Sequence, residues 1–466
     1  MESPEGCDDG NLQDGDGCSA ACSVEPGWSC SSEPSSCKTT CGDGIRAGQE
    51  SCDGTELGDN TCETAGFVSG QLTCRAQCTL DDSECAVCGN GTCEYLRSET
   101  IDNCPADCAF VQLAVGFKSS CAVRTDGTVW CWGLNDNGQL GNPDVPETTA
   151  VPAKVVGSSF ALQVDVGGHC ACALVEAADS SREVWCWGKN QSGQLGNSQF
   201  ESQATPTKVP VTGNIEQVEL SWQTAYARMA GHEVIGWGAG RWHELGCSVH
   251  DTPHETPESM TWPEEIDALS CDGGACCVRL ADTHELSCWG QNQQGELGNG
   301  TLDGTCVPAV VYGMATTASF NMGDHYACSI DPTGGLWCWG NNDRDQIDSG
   351  LGEDVLIPKA IANIQPLDNI WLGWHHTCGV TTTHAALCWG DNEYGQLGNG
   401  LTNPAPQPPI IPSGLEKGVI TAQAGRQHSC ALLENGHVVC WGDNSDGELG
   451  NGSFDPSTRP VPVLFP

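Results

Sequence analysis

Cysteines with a constant spacing are the chemically distinctive residues of this 466-residue chain. Cys430 and Cys440 flank a short apolar segment, and the centre of that segment is Glu434, Asn435 and Gly436. Such a centre is typical of a three-residue hairpin loop with the glycine in the left-handed conformation. The two cysteines then lie opposite each other, with Cα atoms roughly 4.5 to 5.5 Å apart, a distance that a disulfide bridges. The spacing therefore predicts oxidative coupling of two thiols across a β-hairpin.

The same pattern occurs in five other hairpins whose turn residues differ. It predicts six disulfides, Cys121–Cys131, Cys172–Cys186, Cys276–Cys288, Cys328–Cys338, Cys378–Cys388 and Cys430–Cys440. The pairing of five further cysteines stays open, namely Cys170, Cys247, Cys271, Cys277 and Cys306. Cysteines at hairpin spacing with few CxxC pairs favour disulfides over zinc ligands, so we expect an oxidising compartment, extracellular or at the cell surface.

Alternation of side chains within the hairpin shows how these elements are packed. Leu432 and Val438 share the cystine face, while Ala431, Val439 and Trp441 lie on the other face. Because both faces are apolar, each hairpin is expected to lie between neighbouring sheets instead of facing water on one side.

Composition and charge exclude several classes of protein. With 32 cysteines, 59 glycines and few aromatic residues, the chain is expected to be largely strand and loop. The net charge is −17 for residues 1–109 (4 basic, 21 acidic) and −26 for the remainder (14 basic, 40 acidic). Neither part suits nucleic acid, and no apolar run is long enough to span a bilayer. The start at Met1 has neither the basic nor the apolar region of a signal peptide, so a leader is expected to be missing from this sequence.

No combination of nucleophile, base and metal ligands has a convincing spacing, so we expect no enzymatic activity. His243, His250 and His254 with Glu244 offer a weak zinc hypothesis, but exposed loop residues are the favoured interpretation.

Residues 1–108 contain 15 cysteines and too few large apolar side chains for a core, which is typical of disulfide-stapled modules. Internal similarity predicts a partial module at 1–40, a second at 41–87 and a third at 88–109. The first has five cysteines, and Cys7 is the one expected to be unpaired. Asp9, Asn11, Asp14 and Asp16 offer oxygen ligands to calcium, or else cap turns; both interpretations are open. This region resembles myxobacterial cysteine-rich repeat modules.

From Phe110 the chain is periodic, with Trp-Gly pairs about every 50 residues. They begin at Trp132, Trp187, Trp237, Trp289, Trp339, Trp389 and Trp441. Four short strands per unit at this period predict a propeller blade, and seven units predict seven blades. Gly-x-Asn-x-x-Gly-Gln/Glu-Leu-Gly-Asn follows most Trp-Gly pairs. On these motifs, residues 110–466 resemble the regulator-of-chromosome-condensation repeat family. The predicted fold is all-β, a seven-bladed β-propeller of four-stranded blades, preceded by a disulfide-rich, loop-dominated, multi-module region.

The loop before each hairpin differs from unit to unit, although the hairpin itself is repeated. A constant frame with a variable rim is how a repeat protein presents a binding surface. The candidate binding residues are Phe117, Lys118, His169, Trp222, Gln223, Asp324, His325, Trp374, His375 and Arg426.

Together these features favour a secreted or cell-surface binding or adhesion protein, monomeric and non-enzymatic, that displays a propeller on a stapled stalk. Its partner is expected to be a protein or an envelope glycan, with no cofactor except the possible calcium. The resemblance implies an alternative, a protein inhibitor of an enzyme, because the family includes a secreted propeller that blocks β-lactamases. Guanine-nucleotide exchange fits the acidic, oxidised chain poorly, and a hydrolase or lyase stays open because propellers also host enzymes.

Overall fold

The computed structural model describes residues 7, 13–31, 35–86, 88–90, 93, 100–247, 253–262, 264–314, 316–347 and 352–465. The chain forms two compact units, Met1–Cys108 and Ala109–Pro466. No helix among the described residues is long and apolar enough to cross a membrane.

The first unit has little regular structure. Its elements are β1 (Trp28–Ser31), β2 (Ser36–Thr39), β3 (Ser69–Gly70), β4 (Thr73–Cys74), β5 (Leu80–Asp81), β6 (Cys85–Ala86) and the helix α1 (Pro105–Cys108). The strands pair as β1 with β2, β3 with β6 and β4 with β5. Seven disulfides join its described segments, Cys7–Cys18, Cys30–Cys37, Cys41–Cys78, Cys52–Cys74, Cys62–Cys85, Cys88–Cys104 and Cys93–Cys108.

The prediction of an unpaired cysteine in the first module names the wrong residue. Cys7 is bonded to Cys18, and Cys22 is the free cysteine of the first module. The prediction assumed that Cys7, like its counterpart Cys52, needs a partner upstream. Cys52 instead pairs downstream with Cys74, so the missing upstream cysteine has no bearing on Cys7.

The second unit is built from four-stranded antiparallel sheets, each formed by consecutive strands. Blade 1 contains β7 (Phe110–Val115), β8 (Ser119–Arg124), β9 (Val129–Leu134) and β10 (Thr148–Lys154); blade 2 contains β11 (Ala161–Val166), β12 (Cys170–Glu176), β13 (Arg182–Gly188) and β14 (Gln203–Lys208). Blade 3 contains β15 (Ile215–Leu220), β16 (Thr224–Met229), β17 (Glu233–Gly238) and β18 (His254–Thr261); blade 4 contains β19 (Ile266–Asp272), β20 (Ala275–Leu280), β21 (Leu286–Gly290) and β22 (Thr305–Val310).

The remaining three blades follow the same order. Blade 5 contains β23 (Ser319–Gly323), β24 (Tyr326–Ile330), β25 (Leu336–Gly340) and β26 (Val355–Ala360); blade 6 contains β27 (Leu367–Leu372), β28 (His376–Thr381), β29 (Ala386–Asn392) and β30 (Asn403–Ile410); blade 7 contains β31 (Val419–Ala424), β32 (His428–Leu433), β33 (Val438–Gly442) and β34 (Ser457–Pro462). The seven sheets within the described residues confirm the predicted all-β, seven-bladed propeller.

The predicted hairpin is confirmed in detail in blade 7. Gly436 has φ 81°, Leu433 N donates to His437 O at 2.9 Å, and Cys430 lies opposite Cys440. Both faces of the hairpin are buried, as the apolar pattern predicts. Cys430 belongs to the core shared with blade 1, whereas Trp441 belongs to the core shared with blade 6.

Five of the six predicted hairpin disulfides are present, and the sixth is wrong by one residue. Cys277, not Cys276, lies opposite Cys288 and is bonded to it. Cys276 points to the other face of the strand, where it bonds Cys271 of β19. A shift of one residue places a strand residue on the opposite face. The longer turn of blade 4 therefore led to the choice of Cys276 in place of Cys277.

The remaining cysteines of the propeller were left open by the sequence. Cys247 bonds Cys306 and thereby joins a loop of blade 3 to β22 of blade 4. Cys170 is free and buried, and burial raises the pKa of its thiol to about 12. The fifteen disulfides among the described residues favour an oxidising compartment.

Blade 3 folds the same hairpin without a cystine. The residue opposite Gly236 is Tyr226, and its ring is fully buried. A Cβ on Gly236 would lie only 3.2 Å from Tyr226 Cδ1. The tyrosine ring therefore occupies the space that a disulfide takes in the other blades.

Each Trp-Gly tryptophan links its blade to the one before it. The indole Nε1 donates to a backbone carbonyl of the preceding Gly-rich loop at 2.7 to 2.9 Å. For Trp132 that carbonyl belongs to Glu448 of blade 7, so the first and last blades close the ring through side chains. Phe110 and Phe465 pack across the same junction. The closure therefore uses packing and hydrogen bonds instead of a shared sheet.

Candidate functional site

Two sets of loops meet on one face of the propeller, which we name the loop face. The first set joins the innermost strand of each blade to the second, and the second set follows each Trp-Gly pair. Residues of both sets, such as Trp222 and Trp242, line one pocket. The hairpin turns, such as that at Gly436, lie at the other ends of these strands and therefore on the opposite face.

Rings from four blades meet at the centre of the loop face. Phe117 of blade 1 contacts Trp222 of blade 3 edge to face, with ring centroids 4.6 Å apart. Trp374 of blade 6 lies 5.0 Å from Phe117 and 5.6 Å from Trp222. His169 of blade 2 packs against Phe117 and Trp222. Because these blades surround the central channel, contact among their loops places the rings across its mouth.

Arg426 of blade 7 completes this group. Its guanidinium carbon lies 4.6 Å from the ring centroid of Phe117 and 4.7 Å from that of Trp374. Cation–π contacts of this kind contribute about 0.5 to 1 kcal/mol at exposed sites. Arg426 Nε has no hydrogen-bond partner among the described residues. We name Phe117, His169, Trp222, Trp374 and Arg426 the aromatic cluster; all five are half-buried and keep surface open to solvent.

The other predicted rim residues are held by the framework to different degrees. Lys118 forms an ion pair with Asp446 of blade 7. Gln223 Oε1 accepts a hydrogen bond from Ser192 Oγ at 3.2 Å. His375 lies beside Trp374, and its Nδ1 has no hydrogen-bond partner among the described residues. The structure thus brings five predicted residues into one cluster and leaves the others around it.

Asp324 and His325 form a polar edge of the site. His325 Nδ1 lies 3.1 Å from Glu296 Oε1 and its Nε2 lies 3.5 Å from Asp324 Oδ1. Burial lowers the pKa of His325, but the hydrogen bond with Glu296 and the charge of Asp324 outweigh it, so the pKa is raised overall. Burial raises the pKa of Asp324. Burial, and then the charge of Asp324, raises the pKa of neighbouring Asp272 to about 7. Asp272, beside this edge, therefore gains or loses its proton near neutral pH.

Below the aromatic cluster the central channel is polar and tightly bridged. Its volume is about 380 Å³, and innermost-strand amides span from blade to blade. Gln163 Nε2 donates to Val218 O at 2.8 Å and its Oε1 accepts from Val218 N at 3.0 Å. Such paired bonds use the polar atoms of Gln163 within the frame itself, so this amide has a structural role.

The predicted calcium ligands lie only partly within the described residues. Asp14 Oδ1 accepts a hydrogen bond from Ala20 N at 2.9 Å, as a turn-capping residue does. Asp9 and Asn11 lie outside the described residues, so calcium binding stays a prediction. Cys41, Asp53 and Cys78 lie close together, but the two sulfur atoms form a disulfide and offer no thiolate.

The sequence missed a second group of residues on the same face. Trp242, in the loop that departs from the repeat pattern, lines a pocket beside the aromatic cluster. Glu244, expected as an exposed loop residue, is buried in that wall. The signal in the sequence was that the third unit reads Gly238-Ala-Gly-Arg-Trp-His-Glu-Leu-Gly-Cys247 in place of the loop motif, but this did not show which side chains would meet. Trp262 and Trp371, by contrast, pack against the core.

The fold and this face define a closed repeat propeller with a constant frame and one variable surface. Models of the regulator of chromosome condensation (RCC1) repeat match residues 110–139 and 419–448, and residues 126–174, 183–227 and 384–432. The chain therefore contains RCC1 repeats. The resemblance of residues 1–108 to myxobacterial modules stays a prediction.

Similar curated proteins include the ultraviolet-B receptor UVR8 of Arabidopsis thaliana, 26% identical over 52% of this chain and 54% of its own length. The guanine nucleotide exchange factor SRM1 of Saccharomyces cerevisiae is 27% identical over 40% of this chain and 46% of its own length. Human HERC2, an E3 ubiquitin-protein ligase, is 27% identical over 43% of this chain. The chain spans at most about half of the length of these relatives, and only 4% of HERC2.

Two solved structures share the propeller. Human WBSCR16 superposes with a TM-score of 0.63 at 20% identity, over 73% of this chain and 94% of its own. Yeast RCC1 (Prp20), bound to Kap60, superposes with a TM-score of 0.64 at 21% identity, over 72% and 83%. At these identities the likeness shows the fold alone.

Proposed function

We propose that this protein is a non-enzymatic binding protein of an oxidising compartment, secreted or at the cell surface, and that the loop face binds a protein partner. The observation that carries the proposal is the aromatic cluster. Two indoles, a phenyl ring and a guanidinium from four blades lie together and half-buried at the centre of one face. Trp and Arg are enriched among residues that dominate interface energies.

Similarity to other proteins also supports a protein partner in general terms. A structure of the yeast relative contains a second protein, Kap60, so a propeller of this fold takes protein partners. SRM1 is named a guanine nucleotide exchange factor, which keeps an exchange activity as the second candidate. The net charge of −26 on the propeller region favours a partner with a basic surface over nucleic acid.

The test uses the purified chain and a matched control. Trp222, Trp374 and Arg426 are replaced together by alanine, and binding to proteins of the source organism's envelope is measured by affinity capture and then by surface plasmon resonance. The triple variant is expected to bind the captured partner at least about tenfold more weakly, or about 1.4 kcal/mol.

Phe160→Ala is the control, because Phe160 is 68% exposed and lies beside the hairpin turn at Gly127, on the opposite face. It should bind as the unmodified chain does. Equal affinity of the triple variant would move the interface away from the cluster, and nucleotide release from a small GTPase would favour the exchange-factor candidate.

A further inference from the structure

A pocket of about 440 Å³ opens on the loop face beside the aromatic cluster. This volume lies within the range of about 300 to 1,000 Å³ that is usual for small-molecule sites. Its walls come from four blades, numbers 3 to 6. The lining residues used below are Trp222, Gln223, Arg241, Trp242, Glu244 and Gln291.

The pocket exists because blade 4 carries two glycines at the loop positions where blades 1, 3 and 6 carry large aromatic rings. Gly273 and Gly274 occupy the loop positions that Phe117 and Lys118 occupy in blade 1. A Cβ at Gly273 would lie 2.5 Å from His325 N, and one at Gly274 would lie 3.1 Å from Trp242 Cδ1. Both glycines also have positive φ. A larger residue would therefore fill the space, and the floor of the pocket depends on these two glycines.

The opposite wall carries the indole of Trp242, which is not one of the Trp-Gly tryptophans that link the blades. Trp242 is 46% exposed, although it follows the same Trp-Gly pair that leads into a polar loop in other blades. Its backbone N donates to Glu244 Oε2 at 2.5 Å. The disulfide Cys247–Cys306 anchors the same loop to blade 4. Trp242 is therefore held in place before any ligand arrives, which lowers the entropic cost of binding.

Around the two indoles, the lining offers both donors and acceptors. Gln291 and Arg241 reach the pocket with side chains that can donate, and Asp324 presents a carboxylate. Glu244 is buried, and its Oε1 lies 3.5 Å from Thr224 Oγ1, a hydroxyl that donates to Ala239 O.

From this arrangement we infer that the pocket is a saccharide-binding site in which a sugar ring stacks on Trp222 and Trp242 and its hydroxyls bond to the surrounding amides and carboxylates. A hydroxyl donates one hydrogen bond and accepts two, which suits a lining with both kinds of group. Indoles offer broad apolar faces to the C–H side of the ring. A cationic ligand suits the pocket less, because Arg241 is in the wall and Arg426 already covers Trp374.

The inference goes beyond the proposed protein interface, and Trp242 separates the two because it does not belong to the aromatic cluster. The unmodified chain is applied to a glycan microarray with hexose, hexosamine, uronic acid and sialic acid termini. The best glycan is then titrated by tryptophan fluorescence and by saturation-transfer NMR. We expect saturable binding that quenches fluorescence.

Three variants locate the site. Trp242→Ala and Gln291→Leu are each expected to weaken binding at least about tenfold. Trp185→Ala is the matched indole control, because Trp185 lines a different pocket at the hairpin-turn end of blades 1 and 2, and it should leave the affinity unchanged. Far-ultraviolet circular dichroism checks that each variant is folded.

Three results would overturn the inference. The first is that no glycan on the array is retained. The second is that Trp242→Ala and Gln291→Leu bind as well as the unmodified chain. The third is that choline binds, sugars do not, and Glu244→Gln abolishes choline binding, which would assign a cation site instead. If the triple variant of the aromatic cluster no longer captures its partner and no glycan binds the unmodified chain, the saccharide site is rejected and the proposed protein interface is supported.

Discussion

The two units of this chain are stabilised by different interactions. In residues 1–108, the apolar cluster found among the described residues consists of Cys62, Leu72 and Cys85 with a few half-buried neighbours, and two of its three buried members are a disulfide. Among the described residues of 109–466, seven clusters of apolar side chains fill the spaces between blades. Cystines replace a core in the first unit, whereas in the second they supplement one.

Blade 3 shows how far the propeller depends on cystines. Tyr226 and Gly236 replace the pair there, and the hairpin keeps the register of its neighbours. In the first unit, buried carboxylates instead bind loop amides; Asp53 accepts from Gly42 N at 2.7 Å and from Gly44 N at 3.0 Å. Such loops have no buried apolar side chains to hold them in place when a disulfide is reduced. The comparison therefore predicts unequal responses to the same perturbation.

Reduction is expected to give the largest difference. With a thiol reductant, residues 41–86 should lose their structure, because each disulfide contributes about 2 to 4 kcal/mol and the core is small. The propeller should stay folded with a lowered melting temperature. Hydrogen exchange followed by mass spectrometry, with and without reductant, measures both units in one sample. Retained protection of residues 41–86 would contradict the comparison.

Removal of one framework tryptophan should be the most harmful single change in the propeller. Trp441 is fully buried and donates to Gln396 O at 2.7 Å. Trp441→Ala is expected to lower the free energy of unfolding by about 3 to 5 kcal/mol. Trp242→Ala, on the exposed indole, is the control and should cost less than about 1 kcal/mol in denaturant titrations. Similar losses for the two would mean that blade packing is not the main source of stability.

Removal of a hairpin cystine should cost less. Replacement of both Cys430 and Cys440 by alanine removes a disulfide between residues that are 10 positions apart in the sequence. It should lower the free energy of unfolding by up to about 3 kcal/mol. The seven-bladed fold should persist, since blade 3 forms its hairpin without a disulfide. Near-ultraviolet circular dichroism and thermal melts measure the effect. An unfolded variant would show that the hairpins need their cystines after all.

The smallest of the four effects concerns a buried carboxyl between blades. Burial raises the pKa of Glu448 to about 7. The folded state therefore holds this proton more tightly than the unfolded state, so its contribution to stability is complete below the unfolded pKa and is lost as pH rises through about 7. Glu448→Gln should flatten this loss and stabilise the chain by on the order of 2 kcal/mol at about pH 8.

The equivalent glutamine of blade 6 gives the reverse experiment. Gln396 Nε2 donates to Asp391 Oδ2 at 3.0 Å, a bond that the new glutamine can copy with Asp443. Gln396→Glu should therefore destabilise the chain most above about pH 7. Unfolding free energies measured from about pH 5 to pH 8 compare the two variants. Parallel pH profiles for both would exclude the carboxyl as the cause.

Contacts seen in the structure also change the expected cost of the cluster substitutions. Substitutions of isolated surface residues cost little. Trp222, Trp374 and Arg426 pack on one another and on Phe117, so their joint removal should lower stability by about 1 to 3 kcal/mol. Thermal melts beside the Phe160→Ala control measure this loss.

The sequence by itself determined the blades. Strand alternation, turn residues and the Trp-Gly period are local, and each follows from the geometry of a hairpin within about 15 residues, as at Cys430 and Cys440. Local geometry failed where a turn was irregular, as at Cys276, because a one-residue error exchanges the two faces of a strand.

Only the tertiary structure decided which distant residues meet. Phe117 and Trp374 are far apart in the chain, yet ring closure places them 5.0 Å from each other. Cys247 reaches Cys306 because blade 3 stands beside blade 4. The pocket at Trp242 likewise depends on glycines in the next blade. The repeat period specifies each blade. Which loops of different blades come together is decided by closure of the whole ring, and the site is formed by those loops.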